Sequence, residues 1–336
     1  MNASVNKQVL IAARPVGAVK HSDFKFVDTD IPRPDQGEIL VKVHYLSMDP
    51  AMKGWMENRG GYMAPLEIGD VMRAFGVGEI VESQSDRFKT GDFICGLLGW
   101  QQYSLMDGAD TSLYTVDPSY PLSAYLGVLG VTGFTAYFGL LDIGKPKEGE
   151  VVVISGAGGA VGTTAGQIAK LKGCRVIGIA GSDEKNLWLK ESLGFDEVIN
   201  YKTENVADKL DEYCPNGMDI YFDNVGGDVL DLALDRLRKF ARVVLCGGIS
   251  RYNKTGQIPG PENYFNLIFR SALMQGYIVG DYQARYPEAL DNLKAWLESG
   301  KLQYAEDIQA GIENLPDTMM RLFDGRNKGK QLAKLI

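Results

Sequence analysis

The sequence predicts an α/β protein, with a doubly wound parallel sheet joined to a smaller strand-rich part. From about residue 130 onward, apolar strand-like segments alternate with helix-like segments, which is typical of parallel sheets. A glycine-rich turn separates the first strand of this region from its first helix. Residues 1–122 instead hold short apolar runs separated by turn residues. With 336 residues and 45% hydrophobic content, the chain is large enough for two domains.

The elements follow from hydrophobic spacing and turn signals. In the strand-rich part, strands are predicted at Lys7–Ala12, Glu38–Leu46, Ala74–Glu82 and Asp92–Gly96. In the alternating part, strands are predicted at 151–155, 174–180, 196–201, 218–223, 242–247 and Leu273–Val279. Helices are predicted near 160–172, 183–193, 204–213, 227–239 and Pro287–Leu297. The tail from Leu302 is expected to form strand, helix and strand and to rejoin the first part.

The segment Val151–Gly162, VVVISGAGGAVG, indicates a dinucleotide site. A β-branched run leads into glycines that open a helix, and such a turn lets backbone N–H groups approach a pyrophosphate. The spacing departs from G-x-G-x-x-G, because Ala157 stands where a glycine is usual and the glycines give G-x-x-G-x-x-G. An ordinary strand–helix turn without a ligand is the alternative. The complete strand–helix–strand pattern favours the dinucleotide.

The end of the second strand favours NADP(H) over NAD(H). That strand ends in Gly181–Ser182, with no acid at its tip to bind the ribose hydroxyls. Asp183 and Glu184 come later and suit the first turn of a helix. Lys185 follows and is placed to neutralise an additional phosphate, although a solvated helix lysine is an open alternative.

Composition narrows the classes of function. A net charge of −8 argues against nucleic acid as a partner, and no apolar run is long enough to cross a membrane. The N-terminus lacks the pattern of a secretion signal, and the four scattered cysteines suit reduced thiols, so a cytoplasmic location is expected. The two histidines, His21 and His44, stand in no metal-ligand pattern and no CxxC pair occurs, so no metal is expected. His44 lies in an apolar strand, which suggests a structural role.

The loop Ile249–Phe265 is long, rich in glycine and proline, and aromatic. It follows the end of a strand, where binding loops are common. These features favour a lid over the active site, the alternative being a surface excursion.

Blocks along the whole chain carry a family resemblance. They are Arg14–Pro15, LSMDPAMKGWM at Leu46–Met56, GVLGVTGFTAYFGLLDIG at Gly127–Gly144, KLKGCRVIGIAGSDEK at Lys170–Lys185, DNVGG at Asp223–Gly227, CGGISRYN at Cys246–Asn253, QGYIV at Gln275–Val279 and GRNKGK at Gly325–Lys330. On these blocks the chain resembles the zinc-independent medium-chain dehydrogenases/reductases. Within them it is similar to the NADPH-dependent double-bond reductases, namely prostaglandin reductases, plant alkenal reductases and bacterial curcumin reductases.

The resemblance implies a GroES-like, β-rich catalytic domain at 1–122 and 300–336, and a Rossmann domain at 123–299. It implies NADPH as cofactor and a homodimer as the assembly. Residues implied to contact the cofactor are Gly159, Ala160, Val161, Gly162 and Thr163 at the pyrophosphate, Lys185 and Tyr201 at the ribose phosphate, Asn224, Cys246, Gly247, Gly248, Ile249, Ser250 and Tyr252 along the cofactor, and Tyr277, Ile278, Val279 and Asn327 near the nicotinamide.

The implied reaction is hydride transfer from NADPH to the β-carbon of an α,β-unsaturated ketone or aldehyde, followed by protonation of the enolate. Tyr252, in the ISRYN block, is the expected catalytic residue, as hydrogen-bond donor or orienting hydroxyl. A loop aromatic that only packs on the cofactor is the alternative for Tyr252. An NADPH:quinone reductase and a non-catalytic NADPH-binding sensor are the other two functions considered.

An apolar, small-molecule enone or enal is the expected substrate. Ala51, Trp55, Tyr62, Met63 and Tyr264 are candidates for its binding wall, with simple packing the alternative for each. Relatives often carry DPYMR where this chain has DPAMK. Ala51 therefore removes a tyrosine from that wall and Lys53 stands in for arginine, which suggests a roomier pocket.

Overall fold

The computed structural model describes residues 5–58 and 61–336, and it divides into two compact units. The first unit extends to Gly127 and includes the C-terminal segment Glu306–Ile336, while the second is Val128–Ala305. The domain limits predicted above, 123 and 299, each fall several residues before the limits of this second unit, and the assignment of domains stays a prediction. Across the described residues, every helix is too short or too polar to span a lipid bilayer.

The second unit is built on a six-stranded sheet in which all neighbouring strands are parallel. Its strands are β8 (Val151–Ser155), β9 (Arg175–Ala180), β10 (Glu197–Asn200), β11 (Met218–Asp223), β12 (Leu237–Leu245) and β13 (Leu273–Gly276). Their order, β10-β9-β8-β11-β12-β13, is that of the expected Rossmann domain. The apolar runs that predicted the central strands β8, β9 and β11 are buried on both faces, as is usual in parallel sheets, whereas the edge strand β13 is largely exposed.

Helices flank this sheet. They are α2 (Val131–Phe138), continued by a π-helical turn at Gly139–Gly144, α3 (Ala160–Leu171), α4 (Asp183–Glu191), α5 (Val206–Tyr213), α6 (Gly227–Leu234), α7 (Ile249–Tyr252), α8 (Asn266–Arg270) and α9 (Tyr286–Glu298). The doubly wound prediction is confirmed. The segment Ile249–Phe265 is less irregular than predicted, because it contains α7 and a 3₁₀ turn at Asn263–Phe265.

The predicted helix 227–239 was wrong in its last turns, because α6 ends at Leu234 and β12 begins at Leu237 instead of 242. Leu230, Leu234 and Leu237 recur at helical spacing, and all three are buried in one core. Leu237 reaches that core from a strand, since it pairs with Met218 of β11. Tertiary pairing therefore overrides a hydrophobic period that continues past the end of the helix.

The first unit is predominantly β-structure. It contains β1 (Val5–Ile11), β2 (Phe24–Asp30), β3 (Glu38–Ser47), α1 (Ala51–Met56), β4 (Gly76–Ser83), β5 (Phe93–Gly96), β6 (Tyr103–Asp107), β7 (Tyr114–Thr115), β14 (Glu306–Ala310), α10 (Leu315–Asp324) and β15 (Lys330–Lys334). A seven-stranded sheet runs β14-β15-β3-β4-β5-β7 with β6 paired to β3, and β1 and β2 form a hairpin-like pair. The four predicted strands are confirmed within a few residues, whereas β2, β6, β7 and α1 were not predicted.

The C-terminal tail forms the predicted strand, helix and strand, and it does rejoin the first unit. β15 pairs antiparallel with β3, with Leu332 opposite Ser47. β14 pairs parallel with β15 on its other side. Two strands from the C-terminal segment, β14 and β15, therefore complete a sheet whose other five strands come from residues 38–115.

Two helical glycines differ in what an added methyl group would meet. At Gly166 in α3, a Cβ would lie 2.0 Å from Cζ of Phe195, which is buried. At Gly54 in α1, an added Cβ would meet no other part of the described residues within 4 Å beyond its chain neighbours and the adjacent backbone of its own helix. We expect Gly166→Ala to destabilise the protein by about 1–3 kcal/mol through overpacking. We expect Gly54→Ala to stabilise it by up to about 1 kcal/mol, the ordinary helix preference. Chemical denaturation measures both, and a loss of the same size at Gly54 would contradict the packing explanation.

Candidate functional site

The carboxyl edge of the six-stranded sheet is the candidate site. The strand order reverses between β8 and β11, and open parallel sheets bind ligands in the crevice at that point. β8 ends at Ser155, β9 at Ala180, β11 at Asp223 and β12 at Leu245. The predicted cofactor residues of this unit follow the ends of strands at this edge.

The turn after β8 is tightly built around its glycines. Gly156 has φ +60°, a conformation that favours glycine, and a Cβ at Gly162 would lie 2.5 Å from the Gly156 carbonyl oxygen. α3 therefore starts directly against the turn, with Gly159 as its N-terminal cap residue. The first N–H groups of a helix have no carbonyl partner within it, and together with the helix dipole they favour an anion. The turn fits a pyrophosphate.

Lys185 lies across the same turn. A Cβ at Gly158 would be 3.0 Å from Cδ of Lys185, so the aliphatic stem packs on the glycine backbone. α4 begins at Asp183, as predicted, and the Ser182 hydroxyl accepts a hydrogen bond from the Lys185 backbone N–H at 3.3 Å. The helix start thus places a cation near the end of β9, whose last residue is Ala180 and not an acid.

Tyr201 flanks the same strand end from the other side. Its ring lies 2.7 Å from an ideal Cβ of Gly181, so only a glycine allows the ring to pack there. The Asn200 side-chain amide donates to the Asp183 carboxylate at 2.6 Å, which joins the end of β10 to the start of α4. The structure therefore brings Lys185 and Tyr201 together around Gly181 and Ser182.

Asn224 is held by a buried polar network between β8 and β11. Its backbone N–H donates to the Ser155 hydroxyl at 2.9 Å and its side-chain amide to the Ser155 carbonyl at 2.7 Å. The Ser155 hydroxyl in turn donates to Asp223 at 2.7 Å, and Tyr221 donates to the same carboxylate oxygen at 3.1 Å. Burial raises the pKa of the Asp223 carboxyl.

The supporting residues Ser155, Tyr221 and Asp223 were not predicted. Asp223 also accepts from the backbone N–H groups of Val225 and Gly226, at 3.1 and 3.0 Å, and so shapes the turn that carries Asn224. The signal was present in the DNVGG block, where an acid ends an apolar strand just before a pair of glycines.

The loop after β12 rests on this turn. The backbone N–H groups of Cys246 and Gly247 donate to the Asp223 carbonyl at 2.9 and 3.0 Å. The Ser250 hydroxyl donates to the Val225 carbonyl at 2.7 Å. α7 follows, with half-buried Tyr252 as its last residue. The predicted group from Cys246 to Ser250 and Tyr252 therefore belongs to one small element beside Asn224.

Tyr277 follows the last strand of the sheet, β13. Its hydroxyl donates to the Thr135 carbonyl at 2.6 Å, which turns the side chain toward α2 and leaves the backbone of Tyr277, Ile278 and Val279 at the strand end.

Cys246 lies on the loop after β12. Burial raises the pKa of its thiol to about 12, so this sulfur stays a neutral thiol.

The remaining predicted site residues lie elsewhere. Tyr264 is half exposed in the 3₁₀ turn at Asn263–Phe265, which is fastened to the middle of α6 by a 2.8 Å bond from the Asn263 N–H to Asp231. Ala51, Trp55, Tyr62 and Asn327 belong to the first unit. Trp55 is 5% exposed and packs in the core with Ala51 and Met63 against it, whereas Tyr62 is exposed. Contact of these residues with substrate or cofactor stays a prediction.

A buried ion pair in the first unit was also missed. Lys330, 4% exposed, donates to the Asp49 carboxylate at 2.6 Å and to the Met48 carbonyl at 3.1 Å. The Ser47 hydroxyl donates to the same Asp49 side chain. The pair fixes the start of α1, which carries Ala51, to the strand that follows Asn327.

Lys53, which stands in for the family's arginine, is also buried and forms an ion pair with Glu57. Asn327 is nearly buried, and its amide donates to the Gly329 carbonyl at 3.0 Å.

His44 lies in β3, and burial lowers the pKa of its imidazole. Within residues 5–58 and 61–336, no three His, Cys, Asp or Glu side chains are grouped as a metal site would require.

Comparisons with known proteins match parts of both units. A family model described as the N-terminal domain of oxidoreductase matches residues 7–113, and one described as zinc-binding dehydrogenase matches residues 160–295. A putative NADP-dependent oxidoreductase, YfmJ of Bacillus subtilis, is 49% identical over 100% of this chain and 99% of its own. The NADPH-dependent curcumin reductase of Escherichia coli is 41% identical over 98% of this chain and 97% of its own.

A solved structure extends the likeness to three dimensions. The crystal structure of CurA from Vibrio vulnificus in complex with NADPH has a TM-score of 0.93, with 43% identity over 98% of this chain and 99% of that one. Both units are thus matched by relatives of the same length and order. The chain belongs to the medium-chain dehydrogenase/reductase family, in its zinc-independent group of NADPH-dependent double-bond reductases.

Proposed function

We propose that this protein reduces the carbon–carbon double bond of α,β-unsaturated ketones and aldehydes with NADPH. The observation that carries the choice of NADPH is the position of Lys185, whose aliphatic stem packs on Gly158 of the glycine turn. The end-to-end similarity to a curcumin reductase supports the choice of substrate class.

The cofactor would be held along the carboxyl edge of the sheet. Residues 159–163 would bind its pyrophosphate, Lys185 and Tyr201 its ribose phosphate, and Asn224 with 246–250 its central part. Tyr277, Ile278 and Val279 would meet the nicotinamide end through their backbone, and Asn327 would reach it from the tail. When bound, NADPH supplies the hydride that adds to the β-carbon of the substrate.

The protein's own contribution to chemistry lies in stabilising the charge that then develops on the substrate's carbonyl oxygen. A phenol is a neutral hydrogen-bond donor at pH 7, and a donor preset near that oxygen lowers the barrier. Tyr252 is the proposed donor. Its place at the end of α7, on a loop bonded to the Asn224 turn, would hold the hydroxyl beside the cofactor.

The substrate wall is proposed to come from Ala51, Trp55, Tyr62 and Tyr264. Ala51 provides less bulk than the tyrosine found in relatives, which favours larger substrates. The buried position of Trp55 supports a shape-setting role for its ring, while exposed Tyr62 is better placed to touch a ligand.

We also propose that the protein forms a homodimer. β13 lies at the edge of the six-stranded sheet, and its first residue, Leu273, is exposed, as are the large apolar residues Phe265, Ile268 and Phe269 that precede the strand. Pairing of β13 with the same strand of a second copy would cover both the strand edge and this apolar surface. A sedimentation mass equal to one chain of 36.8 kDa would contradict it.

A cytoplasmic location is also proposed. Cys95, Cys174, Cys214 and Cys246 are all unbridged thiols, which suits a reducing compartment.

A panel of candidate hydride acceptors tests the proposed function. With NADPH, we expect turnover of enals, enones and curcumin, with the saturated carbonyl compound as product. Quinones should react more slowly at equal concentration. The measurement is the loss of NADPH absorbance, with identification of the product by mass spectrometry. Preferred turnover of quinones would favour a quinone reductase, and binding of NADPH without any turnover would favour a sensor.

The phosphate assignment predicts a selective loss in Lys185→Ala. Loss of a charge-assisted contact to the ribose phosphate should weaken NADPH by roughly 10–100-fold, and NADH by no more than about threefold. Dissociation constants from fluorescence titration check this. Lys190→Ala is the matched control, because Lys190 lies on the same helix and pairs with Glu197 at 2.9 Å. Equal losses for both cofactors in Lys185→Ala would remove Lys185 from the phosphate site.

Tyr252→Phe tests the proposed donor. We expect kcat for an enone to fall by about 100-fold or more, because the developing charge loses its hydrogen bond, while the NADPH dissociation constant changes by less than about threefold. Tyr103→Phe, a half-buried tyrosine in β6, is the control and should leave both values unchanged. Undiminished kcat in Tyr252→Phe would exclude the hydroxyl from the mechanism.

A further inference from the structure

A second cleft lies at the opposite edge of the six-stranded sheet. It has a volume of about 420 Å³ and opens where β11 and β12 begin, between Gly217 and the end of α8. β11 runs from Met218 at this cleft to Asp223 at the cofactor edge. At about 3.3 Å per residue, that strand separates the two places by roughly 17 Å.

Four cations line the cleft, namely Arg236, Arg238, Lys239 and Arg270, against one acid, Asp211. Arg236 is engaged by Asp211 through two bonds of 2.8 and 3.0 Å, and Arg238 by Asp219 at 2.9 Å. Among the described residues, no carboxylate lies within ion-pair distance of Lys239 or Arg270, and both are exposed. The cleft thus carries two cations without counter-ions in a protein whose net charge is −8.

The backbone that carries Arg238 and Lys239 is distorted. Pairing between β11 and β12 passes from Met218–Leu237 to Ile220–Arg242, so residues 238–241 lie opposite the single residue Asp219. Within this bulge Phe240 has φ +65°, a strained conformation for a phenylalanine, and its side chain is 66% exposed. Bulges and strained residues of this kind re-aim side chains and concentrate at binding sites.

Gly217 completes the arrangement. It has φ +81°, and a Cβ there would lie 2.7 Å from the Arg236 carbonyl oxygen and 3.2 Å from Cγ of Arg238. Position 217, in the turn before β11, therefore has to be glycine for the arginines to approach it so closely. The turn at Gly217 fixes the shape of one wall of the cleft, and the bulge fixes the shape of another.

We propose that this cleft is a second ligand site, which binds a small anion with two adjacent phosphate groups. Lys239 and Arg270 would provide the charges, and the cleft is large enough for a diphosphate. A guanidinium matches a phosphate with two parallel hydrogen bonds, which favours phosphate over a compact carboxylate ligand. The net charge of −8 disfavours an extended polyanion such as nucleic acid.

Inorganic pyrophosphate is the probe. Titrated calorimetrically into the full chain saturated with NADPH, at low ionic strength, it should bind one site per chain, and added salt should weaken it. The double variant Lys239→Ala/Arg270→Ala should lower the affinity at least tenfold. The control variant Lys25→Ala/Arg33→Ala removes the same charge from exposed positions of the first unit and should change the affinity less than twofold.

Hydrogen exchange supplies an independent readout in the unaltered protein. Pyrophosphate should slow exchange in residues 214–217 and 236–239 and leave the glycine turn at 156–162 unchanged. The proposal is overturned if pyrophosphate shows no saturable binding, if both double variants weaken it equally, if exchange slows only at the glycine turn, or if citrate binds more tightly. None of these readouts depends on turnover, so a failure here is distinguishable from a failure of the reductase assignment.

Discussion

The close approach of α3 to the end of β8 is the constraint on which the carboxyl edge of the six-stranded sheet depends. It requires the absence of side chains at Gly156 and Gly162, since a methyl group at Gly162 would overlap the Gly156 carbonyl. Once the helix start is that near, the stem of Lys185 can lie over Gly158 and the side chain of Asn224 can lie against Gly156. A displacement of the helix by the width of one methyl group would separate these groups.

A single carboxylate organises the neighbouring turn. Asp223 receives hydrogen bonds from Ser155, Tyr221 and the backbone of Val225 and Gly226, while its own carbonyl receives those of Cys246 and Gly247. Three strands that are neighbours in the sheet, β8, β11 and β12, therefore end in one hydrogen-bonded cluster. Rigidity at this edge comes from buried polar contacts as well as from apolar packing, because each donor or acceptor would be left unsatisfied if the cluster opened.

Local pattern predicted most of the parallel sheet, since the β-branched runs and the glycine turn are encoded in a few consecutive residues. The start of β12 was missed because Leu230, Leu234 and Leu237 keep a helical period across the true boundary. β2 was missed because most of its residues are exposed and it lacks an apolar run. The pair of Lys330 with Asp49 joins residues 281 positions apart, and nothing local to either residue signals it. Sequence motifs predicted which residues belong to the candidate site, whereas the contacts that support those residues became visible only in the structure.

The place of β15 also sets an order of events during synthesis on the ribosome. The first unit has its N-terminal strands early, but β3 gains its partner β15, and Asp49 its counter-ion Lys330, only when the last residues emerge. The second unit, Val128–Ala305, is continuous in sequence and complete before then. In a nascent chain, the second unit is therefore complete and able to fold while the first unit still lacks β14 and β15, and while part of β3 is still without its partner strand.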